Sequence, residues 1–419
     1  MKILVISQYF WPENFRINEL VAELVKRGHQ MTVLTGRPNY PDGTLLPEYR
    51  NRPNDYKDYL GAKIVRVPIL LRGRGRLRLL LNYASFAFSG CIWGGWRLRR
   101  EPFDVIFTFG PSPITVGIPS AWMRWLKGVS QVFWVLDLWP ETLRAVGVVR
   151  QQWILQSVER LVRLVYRHCD LILAQSKSFV EDIARYTPVD RRVEYFPAWA
   201  EAVFSDGKVT PASQVPAAHG VFTVLFAGNI GEAQDFPAIL DAAECLRERE
   251  NIRWIIVGEG RMAGWVREQV AARGLNARVI MVGRQPLEQM PGFFAHADAL
   301  LVSLKDESVF AMTIPGKIQS YLAADQPVLA MLNGEGASIV RKAQAGLVCA
   351  AGDGAGLAKI VEQMAALTSQ ARRNMGERGR SLCAEEFDRN MLISRLENWL
   401  EEIVRERGDA RAVNERPAD

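Results

Sequence analysis

Lys317 directly follows Pro315-Gly316 and opens a segment, 317–324, in which apolar Ile318, Tyr321 and Leu322 recur at helical spacing. Pro327 ends that segment, and 328–332 is a short apolar run suited to a buried parallel strand. A helix N-terminus gathers unpaired N–H groups and the positive end of the dipole. A Pro-Gly turn with a lysine at its mouth therefore suits a phosphate-bearing ligand, although an ordinary crossover helix with a surface lysine has the same pattern. Asp137 is the second residue of interest. It follows the apolar run 132–136 in the string DLWPE. A carboxylate just past a buried strand is placed for acid–base work, and an N-cap aspartate would occupy the same position. Asn14 and Arg16, in the loop after the first apolar run, are hydrogen-bond donors placed to touch substrate.

The elements that must position these residues form two series. KILVIS at the start reads as a strand buried on both faces. Ile17, Leu20, Val21, Leu24 and Val25 then mark a helix closed by Gly28, and 31–34 is the next strand. Further strands are predicted at 62–68, 104–109, 132–136, 171–174 and 193–196, with a polar loop over 35–58. Residues 205–220 are poor in apolar side chains and read as a linker. A second βαβ series follows, with strands at 222–226, 254–257, 279–282, 300–303, 328–332 and 347–350. Two glycine-bearing loops, Gly228–Gly231 and Gly258–Gly260, fall at carboxyl ends of these strands. Neither matches GxGxxG, so a dinucleotide fingerprint is not supported. The expected architecture is α/β: two Rossmann-like, doubly wound domains facing a central cleft.

Composition excludes several classes. With 419 residues, 48% apolar and 23% charged, the chain has the makings of two globular domains with full cores. Five scattered cysteines and four dispersed histidines suggest neither a disulfide framework nor a metal site. A reducing compartment fits, and the strand-like start does not read as a signal peptide. The net charge of +6 is uneven: residues 61–130 hold eleven Lys and Arg against Glu101 and Asp104. Arg72, Arg74, Arg76 and Arg78 lead into 79–96, eighteen residues without a charge. Its Asn, Ser and Gly content favours a partly buried helix over a membrane span. Residues 70–100 are thus expected to meet an anionic inner-membrane surface. A plain core helix with a solvated basic turn is the alternative. Nucleic acid is not an expected partner, because the basic residues are not interleaved with stacking aromatics on a sheet.

The ordered blocks RGHQMTVLTG, DLWPE, VLFAGNIG, WIIVGEG, VIMVG and IPGKIQSYLAADQPVLA resemble glycosyltransferase family 4, of the GT-B fold, over nearly the whole chain. FWPENFRINEL and LTGRPNYP resemble more narrowly the bacterial fucosaminyltransferase-like enzymes of O-antigen and capsule synthesis. The resemblance implies a retaining, metal-independent glycosyltransferase with no cofactor. It implies an acceptor domain at 1–204, a linker at 205–220, a nucleotide-sugar domain at 221–385 and a helix at 386–404 crossing back to the first domain. The donor would be a nucleotide sugar, usually UDP-linked, and the acceptor a polyprenyl-diphosphate-linked saccharide. The enzyme would be cytoplasmic, peripheral at the inner face of the membrane.

The family's donor residues map unevenly onto this chain. Its phosphate-binding arginine and lysine fall on Asn229 and Gln234, and its two glutamates on Met312 and Ser320. Lys317 and the N–H groups near Gly316 become the main candidates for pyrophosphate charge, with Gly228, Gly258 and Arg261 as helpers. Ser320 could bond a ribose hydroxyl. Glu307 or Glu335 could supply a missing carboxylate, and Asn14 and Arg16 would close over the donor phosphates. The missing glutamates also motivate a second reading, a non-catalytic nucleotide-sugar-binding subunit, and a third is a sugar-nucleotide epimerase, since such enzymes can share the GT-B fold.

Overall fold

The computed structural model describes the chain apart from residues 42, 74, 146–148, 150, 205–208, 217, 219 and 415–419, and describes only the backbone of 76 and 410–414. Arg74 of the basic turn, part of the expected linker and the end of the charged tail lie outside the described residues. The chain forms two compact units, Met1–Phe196 with Asn390–Asp419, and Pro197–Arg389.

The first unit is built on strands β1 (Lys2–Ile6), β2 (Gln30–Thr35), β3 (Asp58–Tyr59), β4 (Ala62–Arg66), β5 (Val105–Gly110), β6 (Ser130–Val135), β7 (Leu171–Ala174) and β8 (Arg192–Tyr195). Their order is β3-β4-β2-β1-β5-β6-β7-β8, parallel except for the β3–β4 pair. β1, β5 and β6 are almost entirely buried, as continuous apolar runs between helical layers must be. The Arg16–Lys26 helix buries Ile17, Leu20, Val21 and Leu24, and Gly28 leaves it at φ 89°, a left-handed value that glycine adopts without strain.

The polar stretch after β2 is more ordered than its composition suggests. It holds short helices at Pro47–Asn51 and Pro53–Tyr56. The buried Glu13 carboxylate accepts from the backbone N–H groups of Asn39 and Tyr40, both at 2.7 Å. Arg66 donates to the carbonyls of Gly36 and Trp11 and lies over the Tyr49 ring. These long-range bonds satisfy backbone groups that a free loop would leave to water.

The final helix, Arg389–Asn414, packs on this first unit and runs ten residues beyond the end of the expected 386–404. Leu392, Ile393, Leu396, Leu400 and Ile403 are buried, and Trp399 meets Phe196 edge-on at 6.1 Å. Glu397 bonds Arg27 at 3.0 Å and His29 at 2.6 Å.

The second unit carries β9 (Phe222–Ala227), β10 (Ile252–Val257), β11 (Val279–Gly283), β12 (Ala299–Ser303), β13 (Val328–Met331) and β14 (Gly346–Cys349). All are parallel, in the order β11-β10-β9-β12-β13-β14. Ala227 pairs with Val257 and Ser303 with Met331, so the carboxyl ends of neighbouring strands stay in line. Ahead of the Pro315-Gly316 turn, a short helix spans Ser308–Met312. Helices at Gly354–Ala366 and Ser369–Glu386 complete the unit.

Candidate active site

In the second unit the site forms where the loops after β9 and β10 meet the Gly316–Ala323 helix. The two glycine loops touch backbone to backbone. A Cβ on Gly258 would lie 1.9 Å from the Gly228 carbonyl oxygen, and one on Gly260 would lie 2.4 Å from that of Ile230. Gly228 N–H donates to Val257 O at 2.8 Å, and Ile230 N–H to Glu259 O at 3.0 Å. Only residues without side chains permit this contact, which explains glycines at these points in the absence of a dinucleotide fingerprint.

The Gly316–Ala323 helix is fixed to β9 by Tyr321. Its hydroxyl accepts from Ala227 N–H at 3.0 Å and donates to Ala227 O at 3.2 Å. Lys317, one turn earlier, consequently points over the same strand end. Its Nζ sits 3.5 Å from the centre of the Phe226 ring, and a Cβ on Gly228 would be 2.7 Å from its Cε. The stem is partly exposed, but Nζ is buried and has no hydrogen-bond partner among the described residues. Burial pushes its pKa down from 10.5 to about 7. A buried amine without an acceptor is costly unless a ligand supplies one. Here it lies at the first turn of a helix beside a glycine loop, a combination that receives a phosphate.

The remaining donor-side candidates divide. Asn229 and Gln234 brace their own loop: the Gln234 side-chain oxygen accepts from Gly231 N–H at 3.1 Å and from Asn229 Nδ2 at 3.5 Å. The loop is further tied to β12, since Ser303 Oγ donates to Gln234 O at 2.7 Å. Arg261 is exposed. Glu335 stands in the first turn of the Gly334–Ala343 helix, a favourable place for an acid beside the helix dipole. Its neighbour Gly336 packs close to Pro315 and Ile318, which sets that turn next to Gly316. Glu307 is exposed at the start of Ser308–Met312.

Ser320 has a carboxylate partner. Its Oγ donates to Glu201 Oε2 and lies 3.2 Å from Gly316 O. Glu201, at the end of PAWAE, thus brings a carboxylate to the helix that carries Lys317. Sequence reasoning missed it because it belongs to an irregular segment with no periodic signal. Phe226 and Tyr321 were legible only as core residues.

The first unit has a candidate of its own, Asp137, directly beyond β6. Burial raises its carboxyl from 3.8 to about 7. Tyr83, from the Arg76–Ser89 helix, is also raised, first by burial; Arg72 and Ser112 oppose that shift while Asp137 adds to it. The four residues therefore share one electrostatic neighbourhood. Arg72 lies over the Tyr40 ring at 5.3 Å, and its backbone N–H donates to Asn39 Oδ1 at 3.0 Å. Tyr40 in turn packs with Tyr9 and Phe15. Tyr83 is thus the residue through which Asp137 shares its surroundings with Arg72 and Ser112. Asn14 is exposed, and Arg16 begins the first helix of the same unit. Among the described residues no group of three His, Cys, Asp or Glu side chains could hold a metal ion.

Comparison with known proteins adds an independent line. Residues 14–199 match the glycosyl transferase 4-like domain, and residues 221–366 match the glycosyl transferases group 1 family. The chain is 26% identical over 292 residues to the probable glycosyltransferase WbjE of Pseudomonas aeruginosa, covering 68% of this chain and 71% of that protein. It is 25% identical over 338 residues to the putative colanic acid biosynthesis glycosyl transferase WcaI of Escherichia coli K12, covering 77% and 81%. In fold it is similar to Anabaena HepE, whose crystal structure is a complex with UDP and glucose. The TM-score is 0.67 at 14% identity, over 96% of this chain and 99% of that one.

Proposed function

The chain belongs to the glycosyltransferases that join a 4-like domain to a group 1 domain, in a GT-B fold, and on that premise we propose the following reaction. It moves a sugar from a UDP-linked donor to a lipid-linked saccharide during O-antigen, capsule or exopolysaccharide synthesis. N-acetyl-L-fucosamine or a related deoxy-amino sugar is the proposed cargo. The name of the Escherichia coli relative, a putative colanic acid biosynthesis glycosyl transferase, supports such a pathway, and UDP in the HepE complex supports the choice of nucleotide. The single observation that carries the reading is Lys317: a buried amine without an acceptor among the described residues, over Phe226 and against Gly228.

In the reaction the bond from the anomeric carbon to the phosphate oxygen breaks and the nucleoside diphosphate departs. The acceptor hydroxyl oxygen bonds to that carbon and gives up its proton. Lys317, the N–H groups at Gly316 and the Gly228 loop stabilise charge on the departing phosphate. Asp137 orients the acceptor hydroxyl or takes its proton, for which a pKa of about 7 is well matched at neutral pH. Arg72 and Tyr83 line the acceptor side. Configuration is retained and no metal is required, since Lys317 and backbone dipoles carry the phosphate charge. The acceptor is polyprenyl-diphosphate-linked, and the enzyme works at the inner face of the cytoplasmic membrane, reached through 70–100.

The test is UDP release from a panel of UDP-sugars with lipid-linked acceptors. Acceptor-dependent release, lost in Lys317→Ala, supports the assignment. Tight UDP-sugar binding with no turnover on any acceptor would instead favour a non-catalytic binding subunit. Conversion of the donor sugar without acceptor would favour an epimerase.

A further inference from the structure

The residues between 77 and 96 form one continuous helical run, Arg76–Ser89, a π-helical turn at Gly90–Gly94, and Gly95–Leu98. Its buried side is clear: Asn82, Phe86, Ala87, Ser89, Gly90 and Leu98 face the unit. The opposite side is not polar. Leu77, Leu81, Phe88, Ile92 and Trp96 are all exposed, with Leu77 at 71% and Phe88 at 68%. The wide π turn takes up the drift of a 3.6-residue period, so that Phe88, Ile92 and Trp96 stay on one line. At 1.5 Å per residue this stripe is about 30 Å long.

A second helix continues the same surface. In Gly117–Lys127, Trp122, Trp125 and Leu126 are exposed, with Trp125 at 70%. The two helices pack at their glycines. A Cβ on Gly95 would lie 3.1 Å from Trp122 Nε1 and 3.7 Å from Leu126 Cδ2, and one on Gly90 would lie 2.8 Å from Pro119. With Trp93, four of the chain's twelve tryptophans stand on this surface. Trp122 and Trp125 pack against each other at 5.0 Å. Arg78, Arg97, Arg99 and Arg100 border it and are exposed, and Arg99 lies over the Trp96 ring at 4.8 Å.

We propose that this surface is a bilayer-insertion face: the 77–96 helical run lies in the plane of an anionic membrane, and the Trp122–Trp125 pair enters beside it as a second contact. The composition selects lipid over a protein partner. Tryptophans at an apolar–polar boundary, leucines inside it and arginines at its rim match the headgroup region of a bilayer containing acidic lipids. No helix among the described residues is long and apolar enough to cross a membrane, so contact is made by lying on it. The expected contact at 70–100 is thereby extended by a second helix outside that range, Gly117–Lys127. Tyr83, on the same helical run, shares its electrostatic neighbourhood with Asp137. Docking would therefore hold the acceptor side of the site at the membrane where a lipid-linked substrate resides. That last purpose rests on the proposed reaction; the docking itself does not.

The test is flotation of the full chain with vesicles of phosphatidylcholine alone or with phosphatidylglycerol. Wild type is expected to float with the mixed vesicles and much less with the neutral ones, and raised salt should weaken binding. Trp125→Ser with Leu77→Ser should lower the partition coefficient at least tenfold on mixed vesicles, and Arg99→Glu with Arg100→Glu should do so only there. Unchanged circular-dichroism melting checks that the variants fold. As a second measurement, bromine-labelled lipid should quench the tryptophan fluorescence of the wild type. Failure of the wild type to float, or equal flotation of the Ser variants, would overturn the proposal. So would a concentration-dependent dimer in sedimentation that Trp125→Ser abolishes, since a second copy would then be the occupant. UDP release with a water-soluble acceptor analogue, measured without vesicles, tests the reaction separately.

Discussion

The Nζ atom of Lys317 lies 3.5 Å from the centre of the Phe226 ring, where it has an aromatic face below it and no hydrogen-bond acceptor among the described residues. The cation–π contact compensates the buried charge in part, and burial still lowers the pKa to about 7. The unfolded chain therefore binds more protons than the folded one between pH 7 and 10.5, so stability rises with pH across that window and the penalty is fully present below 7. Lys317→Met should remove it. The ligand-free variant is expected to be more stable than wild type by roughly 1–3 kcal/mol at pH 6.5, with the difference shrinking toward pH 10. Urea unfolding at both pH values measures this. A less stable variant at pH 6.5 would contradict the burial argument.

The same amine should recruit a proton when a phosphate arrives. At pH 8 it is mostly neutral in the free protein, and an adjacent diphosphate favours the charged form. UDP binding is then expected to take up about one proton at pH 8 and far less at pH 6. Calorimetry in two buffers of different ionisation enthalpy reads the uptake directly. Identical heats in both buffers at pH 8 would remove Lys317 from the phosphate site.

Asp137 has the opposite sign. Its folded pKa is raised from 3.8 to about 7 by burial, so the folded state holds a proton that the unfolded state has lost. Stability is expected to fall as pH rises from 4 to 7, while activity rises as the carboxylate forms. Asp137→Asn should lower kcat by roughly 100- to 10,000-fold and flatten the rise near pH 7, with donor affinity little changed. A variant that keeps the pH profile would assign the proton to another group.

Gly228 has φ 132°, and a methyl group there would press on the Lys317 stem. Gly228→Ala is expected to cost about 1–3 kcal/mol in stability and to weaken UDP binding at least tenfold. Gly264, a helical glycine with open space around its Cβ position, supplies the control. Gly264→Ala should leave UDP affinity unchanged. Equal affinities in all three proteins would show that the turn does not shape the site.

The last helix should be sensitive to one carboxylate. Burial acts to raise the Glu397 pKa, but hydrogen bonds from His29 and Arg27 outweigh it and hold the group below 4.5. A depressed carboxyl stabilises the fold above the unfolded pKa, and that contribution is lost as pH falls through the folded value. Because the cluster is only part-buried and still reached by solvent, Glu397→Gln is expected to cost about 1 kcal/mol at pH 7, and less at pH 3. Thermal unfolding at both pH values is the measurement.

Most of the frame was legible because buried parallel strands leave continuous apolar runs, and the helices facing them repeat apolar residues every three to four positions. The carboxyl-end loops with Gly228, Gly258, Gly316 and Asp137 followed from that pattern, as did the two α/β units. Tertiary structure decided what those residues meet. Lys317 finds the Phe226 ring only because Tyr321, one turn on, anchors the helix to Ala227. Ser320, short and neutral, gains a carboxylate from Glu201, 119 positions away. The apolar surface around Trp96 and Trp125 joins two helices whose exposure no local period reveals. Local patterns record which side of an element is apolar. Whether that side meets protein or solvent, and whether a buried charge meets a partner, depends on contacts between segments far apart in the chain.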